Sequence, residues 1–541
     1  MYQTHLFAQR AAKHGPVLLL LGLLNCSFIA TGSAQKLNIK NDVFWDTKEG
    51  QPLYSQGGGI STFKDPKSGQ EKYYWYGVHY QEAETYRSSP NKTLPRASFE
   101  SVTCYTSTDL VNWTFEGDAL SKAEALPDGR LTWVGRLGVA HIQESGQYAL
   151  LVQHGAEVLI AVANQPAGPF TWHQKISMLD RIGTTNTGDQ TVFTDADTGK
   201  SYLVYSYGRG RNKIYVSEIG LKNGKVDLLD YTKIFEGAGR EGNCMFKHQG
   251  KYYMAASNLY GWDASLAYYL VANDIRGPYE PANDMRVLAG STADYAHVTQ
   301  TGFFVNVKGS KQETVVYCGD RWANFAGNGL GYNQWFPLSF AGAEPYFNSL
   351  GSWNLDAQTG EWAVAADNNY VKNGSFEADR KRMPSLVKPV QTHLLGWETT
   401  VLKGNKISLD TTSSPVLNYN NTEEERKKVV GEKSLNISDK VAFGRRVSQV
   451  ISSSPYVTLP DGYYTLSARI KNTAGFSTLE MYAESAGKRM ARRVKQAHPA
   501  WATIELKRVA VKNGKVEIGF RAEGNAQASC QVDDVSLTRA K

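Results

Sequence analysis

Cysteine is scarce in this 541-residue chain, with five in all. Cys104, Cys244, Cys318 and Cys530 stand far apart and show no C-x-x-C spacing. A zinc site and a dense disulfide framework are therefore unsupported, and buried free thiols are expected. Long apolar runs are missing too, except at the extreme N-terminus, which argues against a transmembrane span. Amphipathic helical periodicity is almost absent. The net charge of +7 is spread thinly, without a Lys/Arg stripe interleaved with aromatics, so nucleic acid is not an expected partner.

Aromatics and glycine fill the space these absences leave: 30 Tyr, 20 Phe, 12 Trp and 50 Gly. That mixture favours many short strands joined by turns, and surfaces that stack on flat ligands. The length exceeds what one hydrophobic core supports, so more than one domain is expected. Residues 1–34 read as a secretory signal. Arg10 and Lys13 precede PVLLLLGLL, and Gly32, Ser33 and Ala34 are the small residues before a cut. Cys26 would leave with this leader. Leu23-Leu24-Asn25 before it loosely resembles a lipoprotein signal, so lipid anchoring stays open as the less favoured alternative. The expected location is secreted, periplasmic or on the outer cell surface.

From about 40 to 365 one pattern returns five times, a polar turn followed by an aromatic-rich strand. The copies are EKYYWYG, GQYALLVQH, GKSYLVYS, GKYYMAAS and ETVVYCGDRW. They lie roughly 50 to 75 residues apart, each with room for about four strands. An all-β repeat of this length predicts a five-bladed β-propeller over 35–368. From about 370 the pattern becomes strict alternation, as in LPDGYYTLSARIKN and VEIGFRAEGNAQASCQVDDVSLTR. It predicts a β-sandwich of jelly-roll type over 369–541, with the basic clusters near Arg426 and Arg492 as solvated faces.

The ordered segments QGGGIST with YYWYG, YTSTDLVNWTFEG, NTGDQTVFTDADTGKSYLVYS, REGNCMFKHQGKYYMAASNLYGW, VTQTGFF, and GDRW with QWFPLSF resemble glycoside hydrolase family 43. Its members are five-bladed propellers that remove sugars with inversion, and the likeness covers most of 40–365. Within the family these segments are most similar to the exo-β-1,3-galactanase-like branch. By position, Glu241 in REGNCMF matches the general acid. Asp189 in GDQTVF matches the carboxylate that tunes the acid and orients the sugar. The chemistry agrees: bond cleavage needs a proton on the leaving oxygen while positive charge grows on the ring. Burial and a second carboxylate can keep such a Glu protonated near neutral pH. On the residues alone, Glu241 could instead pair with Arg240 or another cation, and Asp189 could merely cap a turn.

Two departures stand out. Most of the family carries a base Asp on the first strand, where this chain has only Gly57, Gly58 and Gly59; Asp46 reads as a turn residue. The galactan-cleaving branch also lacks that Asp and resembles this chain at Gln300, where a glutamine positions or activates the water. The same branch holds its terminal galactose with a Glu where this chain has Gly135, with Arg136 and His141 nearby, and Gln56 replaces its His. Trp262, Trp322, Trp335 and Tyr332 are candidate stacking residues, with packing in the core as the alternative for each. Arg321 is a candidate for sugar hydroxyls or for holding Asp189, and His154 for facing the channel. No ligand spacing calls for a metal and no cofactor is required; the likeness leaves a structural calcium open. The C-terminal segment resembles carbohydrate-binding modules through NGSFE, GW at Trp397 and VDDVSL, with Trp397 and Trp501 as possible platforms. The expected activity is exo-acting, inverting hydrolysis of galactan or arabinogalactan side chains by a monomer. The alternatives are an α-L-arabinofuranosidase or β-xylosidase of the same family, or a non-catalytic glycan-binding protein.

Overall fold

The structure is a computed structural model describing residues 37–540, except 91, 93, 126–133, 185, 186, 209, 324–328, 380–393, 407–416, 419–430 and 432. The leader, Cys26 and Arg426 lie outside the described residues. After β1 (Leu37–Lys40) come five antiparallel sheets in chain order. Blade 1 holds β2 (Gln56–Lys64), β3 (Glu71–Tyr80), β4 (Phe99–Ser107) and β5 (Thr114–Ser121). Blade 2 holds β6 (Leu137–Ile142), β7 (Gln147–His154), β8 (Glu157–Ala163) and β9 (Thr171–Ser177). Blade 3 holds β10 (Thr187–Thr194), β11 (Ser201–Tyr207) and β12 (Lys213–Lys222), with β13 (Lys225–Leu228) and β14 (Thr232–Glu236) both paired to β12. Blade 4 holds β15 (Glu241–His248), β16 (Lys251–Ser257), β17 (Ala267–Ala272) and β18 (Arg286–Val287). Blade 5 holds β19 (Gln300–Lys308), β20 (Glu313–Trp322), β21 (Gly331–Ala341) and β22 (Glu344–Phe347).

The five repeated segments are β3, β7, β11, β16 and β20, the second strand of each blade. Such a strand has a neighbour on each side and a blade on each face, so nearly every side chain is buried and alternation disappears. All seven residues of β11 are buried. The first strands pack in a ring, β2 on β6, β6 on β10, β10 on β15, β15 on β19 and β19 on β2, which closes the propeller. β1 pairs with β23 (Ser352–Leu355), which pairs with β24 (Trp362–Val364), so the start of the described chain is tied behind the last blade. Ile39 and Trp353 join Trp75, Trp113 and Trp335 in one core there.

The C-terminal part is a sandwich of two five-stranded sheets. One orders Glu398–Lys403, Phe443–Ser452, Lys515–Gly524, Phe476–Ser485 and Lys488–Arg493. The other orders Leu417–Asn418, Ser434–Ser438, Ser529–Arg539, Gly462–Asn472 and His498–Val511. Inward positions such as Tyr464, Met481, Ile518 and Val532 make its core. Trp397 belongs to that core, its indole N–H donating to the Asn373 carbonyl, so it offers no stacking face. The edge strand Lys488–Arg493 is exposed throughout, and its cations keep the open edge solvated. Cys104, Cys244, Cys318 and Cys530 are free and buried, as expected. Among the described residues no helix is long and apolar enough to cross a membrane.

Candidate active site

Four of the five inner strands slip register against their second strand within their first few residues. The slips fall between Gln56 and Gly59, Thr187 and Gln190, Glu241 and Cys244, and Thr301 and Phe303. Bulges of this kind re-aim side chains at the rims of closed sheets. Each contains glycine, and two positions show why. A Cβ on Gly58 would sit 1.7 Å from the Tyr76 carbonyl oxygen. Gly242 has φ +62°, and its Cβ would sit 2.4 Å from the Thr301 carbonyl oxygen. The bulges turn Asp189, Glu241 and Gln300 into one pocket of about 180 Å³, walled by Trp262 and Trp322. Their rings meet edge to face at 4.9 Å.

Arg136 organises this pocket from beneath. Its Nε donates to Asp189 Oδ2 (3.1 Å), Nη1 to Asp320 Oδ2 (2.7 Å), and Nη2 to Gln300 Oε1 (3.0 Å) and the Thr301 carbonyl (3.1 Å). Only a planar fork of five donors serves that many acceptors at once. Asp189 Oδ2 also accepts the Gly242 N–H at 2.8 Å. Burial pushes the Asp189 carboxyl up, but Arg136, Arg211 and the Gly242 N–H outweigh it and hold the group ionised.

Glu241 is set the other way. Burial, then the negative charge of Asp189, push its carboxyl up to about 7 against the pull of Arg211. Arg211 Nη1 lies 2.5 Å from Glu241 Oε2, and Gly261 N–H donates to Oε1 at 3.2 Å. Two carboxyls with opposed environments define an acid and an anion side by side. Gln300 Oε1 receives Arg136 Nη2 and, at 2.7 Å, Trp322 Nε1. Both neighbours are pure donors, so the atom facing them is the carbonyl oxygen, and the amide nitrogen is the atom left over. Just before Gln300, Tyr295–Val298 form a left-handed turn with φ between 47° and 61°, capped by Asp294 accepting from His297 N–H. Such a turn costs non-glycine residues about 1–2 kcal/mol each, so tertiary packing must hold it.

Five expected contacts fall elsewhere. Trp335 is fully buried among Trp75, Trp113 and Trp353, in the core and not in the pocket. Arg321 binds Asp42 at 2.5 Å and lies over Tyr332; Asp189 is held by Arg136 instead. Gln56 is buried behind the pocket, and it is Gly57 that reaches the lining. His154 is replaced by its neighbour Gln153, whose side chain fills the space over Gly135, where a Cβ would come 2.5 Å from Gln153 Oε1. Tyr332 is buried away from the pocket. Strand alternation explains two of these outcomes: Asp320 and Trp322 share one face of β20 and Arg321 takes the other, as Gln153 and His154 divide on β7. Arg211, in the GRGRNK loop, carried no strand signal, and Asp320 lay unremarked inside GDRW. Glu241 pairs with Arg211, whereas Arg240 lies over Tyr268 and binds Asn258. Among the described residues no group of three or more His, Cys, Asp or Glu gathers to hold a metal.

A propeller whose central pocket sets a neutral-poised Glu beside an ionised Asp has the equipment of a glycoside hydrolase. Residues 67–331 match the sequence model of glycosyl hydrolases family 43, and this part of the chain belongs to that family. The search of curated proteins finds no match. Among solved structures, the chain is similar to an exo-β-1,3-galactanase from Phanerochaete chrysosporium with galactose, at 21% identity and TM-score 0.52, covering 92% of this chain and 100% of that one. It is also similar to an exo-β-1,3-galactanase from Clostridium thermocellum, at 18% identity and TM-score 0.51, covering 93% of this chain and 100% of that one. At this identity the likeness concerns the fold. The chain is a glycoside hydrolase, and its substrate is a glycan.

Proposed function

We propose that this glycosidase is exo-acting and inverting and releases terminal β-galactosyl units from galactan or arabinogalactan side chains. The observation that carries the reading is Glu241, protonated up to about pH 7, beside ionised Asp189 in a pocket of about 180 Å³. That volume is small against the roughly 300–1,000 Å³ of a drug-sized site and suits one terminal sugar ring. Glu241 gives its proton to the glycosidic oxygen as the bond to the anomeric carbon breaks. Asp189 offsets the positive charge growing on the ring. A water attacks the opposite face, and its proton passes to solvent as Glu241 is reprotonated.

Gln300 positions that water and does not deprotonate it. Its carbonyl oxygen is held by two donors, so the imidic form would turn an O–H against Arg136 and Trp322. The absence of a carboxylate on β2 and the fold shared with the named galactanases support the galactosyl reading. Gly135, with the Gln153 amide over it, favours the second reading, an arabinofuranosidase or xylosidase, because that wall carries no carboxylate. The leader at 1–34 and a polymeric substrate fit a secreted, monomeric enzyme; N-terminal sequencing of the exported protein and its mass in solution check both.

The deciding experiment incubates the wild type and Glu241→Gln with β-1,3-galactan, arabinogalactan, arabinan and arabinoxylan. It identifies the released sugar and, by NMR in the first minutes, its anomer. Galactose released as the α-anomer by the wild type alone is the expected result. Arabinose or xylose selects the second reading, galactose released as the β-anomer overturns inversion, and an active Glu241→Gln overturns the acid.

A further inference from the structure

The sandwich meets the propeller at two loops, one lining the pocket and one leading into it. Segment 258–266, between β16 and β17, donates Gly261 N–H to Glu241 and carries Trp262 into the pocket wall. The left-handed turn Tyr295–Val298 leads directly into Gln300. Tyr260 and Ala264 of the first loop and Tyr295 and Val298 of the second form one buried apolar cluster with Ala378, and Leu395 packs against it. Ala378 and Leu395 come from the chain that enters the sandwich. Gly396, next to Leu395, permits the approach: a Cβ there would stand 2.8 Å from the Ala293 carbonyl oxygen.

Polar contacts follow the same two routes. Lys433 is buried at the start of a sandwich strand, and its Nζ donates to the Glu377 carbonyl at 2.8 Å. The same ammonium lies 3.8 Å from the carboxylate of Asp263, the residue after Trp262. A buried ammonium needs its partners, so this pairing ties the loop to the sandwich. On the other route, Lys372 Nζ donates to the Ser349 carbonyl at 2.6 Å, and Ser349 Oγ donates to Asp294, the cap of the left-handed turn, at 2.6 Å.

We propose that the C-terminal sandwich is a positioning element of the catalytic pocket, with Lys433 as its positioning residue. It holds loop 258–266 so that Gly261 stays on the acid and Trp262 in the wall. The inference rests on the reading of Glu241 as the acid.

The test compares full-length wild type, Lys433→Met, Lys433→Arg and Asp263→Asn. Asp263→Asn breaks the pairing from the propeller side, keeps an acceptor for the Ala264 N–H, and leaves every sandwich residue in place, so it decides the matter even if Lys433→Met does not fold. Amide hydrogen exchange over 258–266 needs no substrate; it is expected to quicken about tenfold in Lys433→Met and Asp263→Asn and to return in Lys433→Arg. On the substrate cleaved by the wild type, the same two variants lose about five- to twentyfold in kcat with KM within about twofold. Their alkaline limb moves to higher pH, because the Gly261 N–H favours the ionised Glu241 and its loss raises the acid. Unchanged exchange and unchanged kcat, even with earlier thermal unfolding, overturn the proposal. An active Glu241→Gln overturns the reading of the acid instead, and the exchange data still decide the role of the sandwich.

Discussion

Glu241 and Asp189 illustrate how residues of one chemical type acquire opposite duties. As the acid we propose, Glu241 must carry its proton to act, so kcat/KM is expected to fall as pH rises through about 7. Asp189→Asn removes a negative charge that raises Glu241 and frees Arg136 and Arg211 to lower it, so the alkaline limb shifts to lower pH while kcat falls about a hundredfold or more; a pH series on the variant checks both. The sign for stability follows the raised carboxyl. Between 4.5 and about 7 the native state keeps a proton that the unfolded chain releases, so folding stability declines as pH rises through that window. Glu241→Gln removes this dependence, as chemical denaturation at several pH values measures. Arg136→Lys keeps the charge and loses the fork; it cannot serve Asp189, Asp320 and Gln300 together, and kcat/KM drops about tenfold to a hundredfold without global unfolding. Asp320, fully buried and raised by burial against the pull of Arg136, anchors that fork from behind.

At the scale of elements, the pocket is a product of bulges. Asp189 lies inside the register slip of its inner strand, whereas Glu241 and Gln300 open theirs just before the slip, opposite Ser257 and Asp320. Neighbouring glycines in this run differ sharply. Gly58→Ala places a methyl group 1.7 Å from the Tyr76 carbonyl oxygen, and is expected to cost more than about 3 kcal/mol or to prevent folding. Gly57→Ala meets nothing closer than 3.8 Å and bears only its φ of +58°, a cost of about 1 kcal/mol. Thermal unfolding of the two variants side by side measures the difference. The tripled glycine was legible as a missing carboxylate, but its packing reason is visible only where β2 crosses β3.

For the whole molecule, β1 ties the start of the described chain to β23 behind the closed ring, and its Ile39 enters the core of Trp75, Trp335 and Trp353. Ile39→Asp, about as far from the pocket in role as a substitution can be, buries an unpaired charge. It is expected to cost about 2–4 kcal/mol, read as an earlier thermal transition with KM unchanged in the molecules still folded. The all-β class, the five blades and the sandwich were legible because strands buried on both faces repeat an aromatic pattern, and that pattern is local. Glu241, Asp189 and Gln300 stood out because each sits in an ordered motif, and all three line one pocket. What the sequence left open depends on which face of a strand meets the channel. Trp335 and Trp322 are chemically alike, yet one fills the core and the other the pocket wall. Arg321 and Arg136 are both arginines near a motif, yet only Arg136 reaches the carboxylates, from another blade. Composition and repeat spacing therefore determined the architecture, and the motif likeness singled out Glu241 as the acid we propose. Only the tertiary structure, by closing the ring and laying the sandwich on two of its loops, decided which distant charges surround that acid and set its proton.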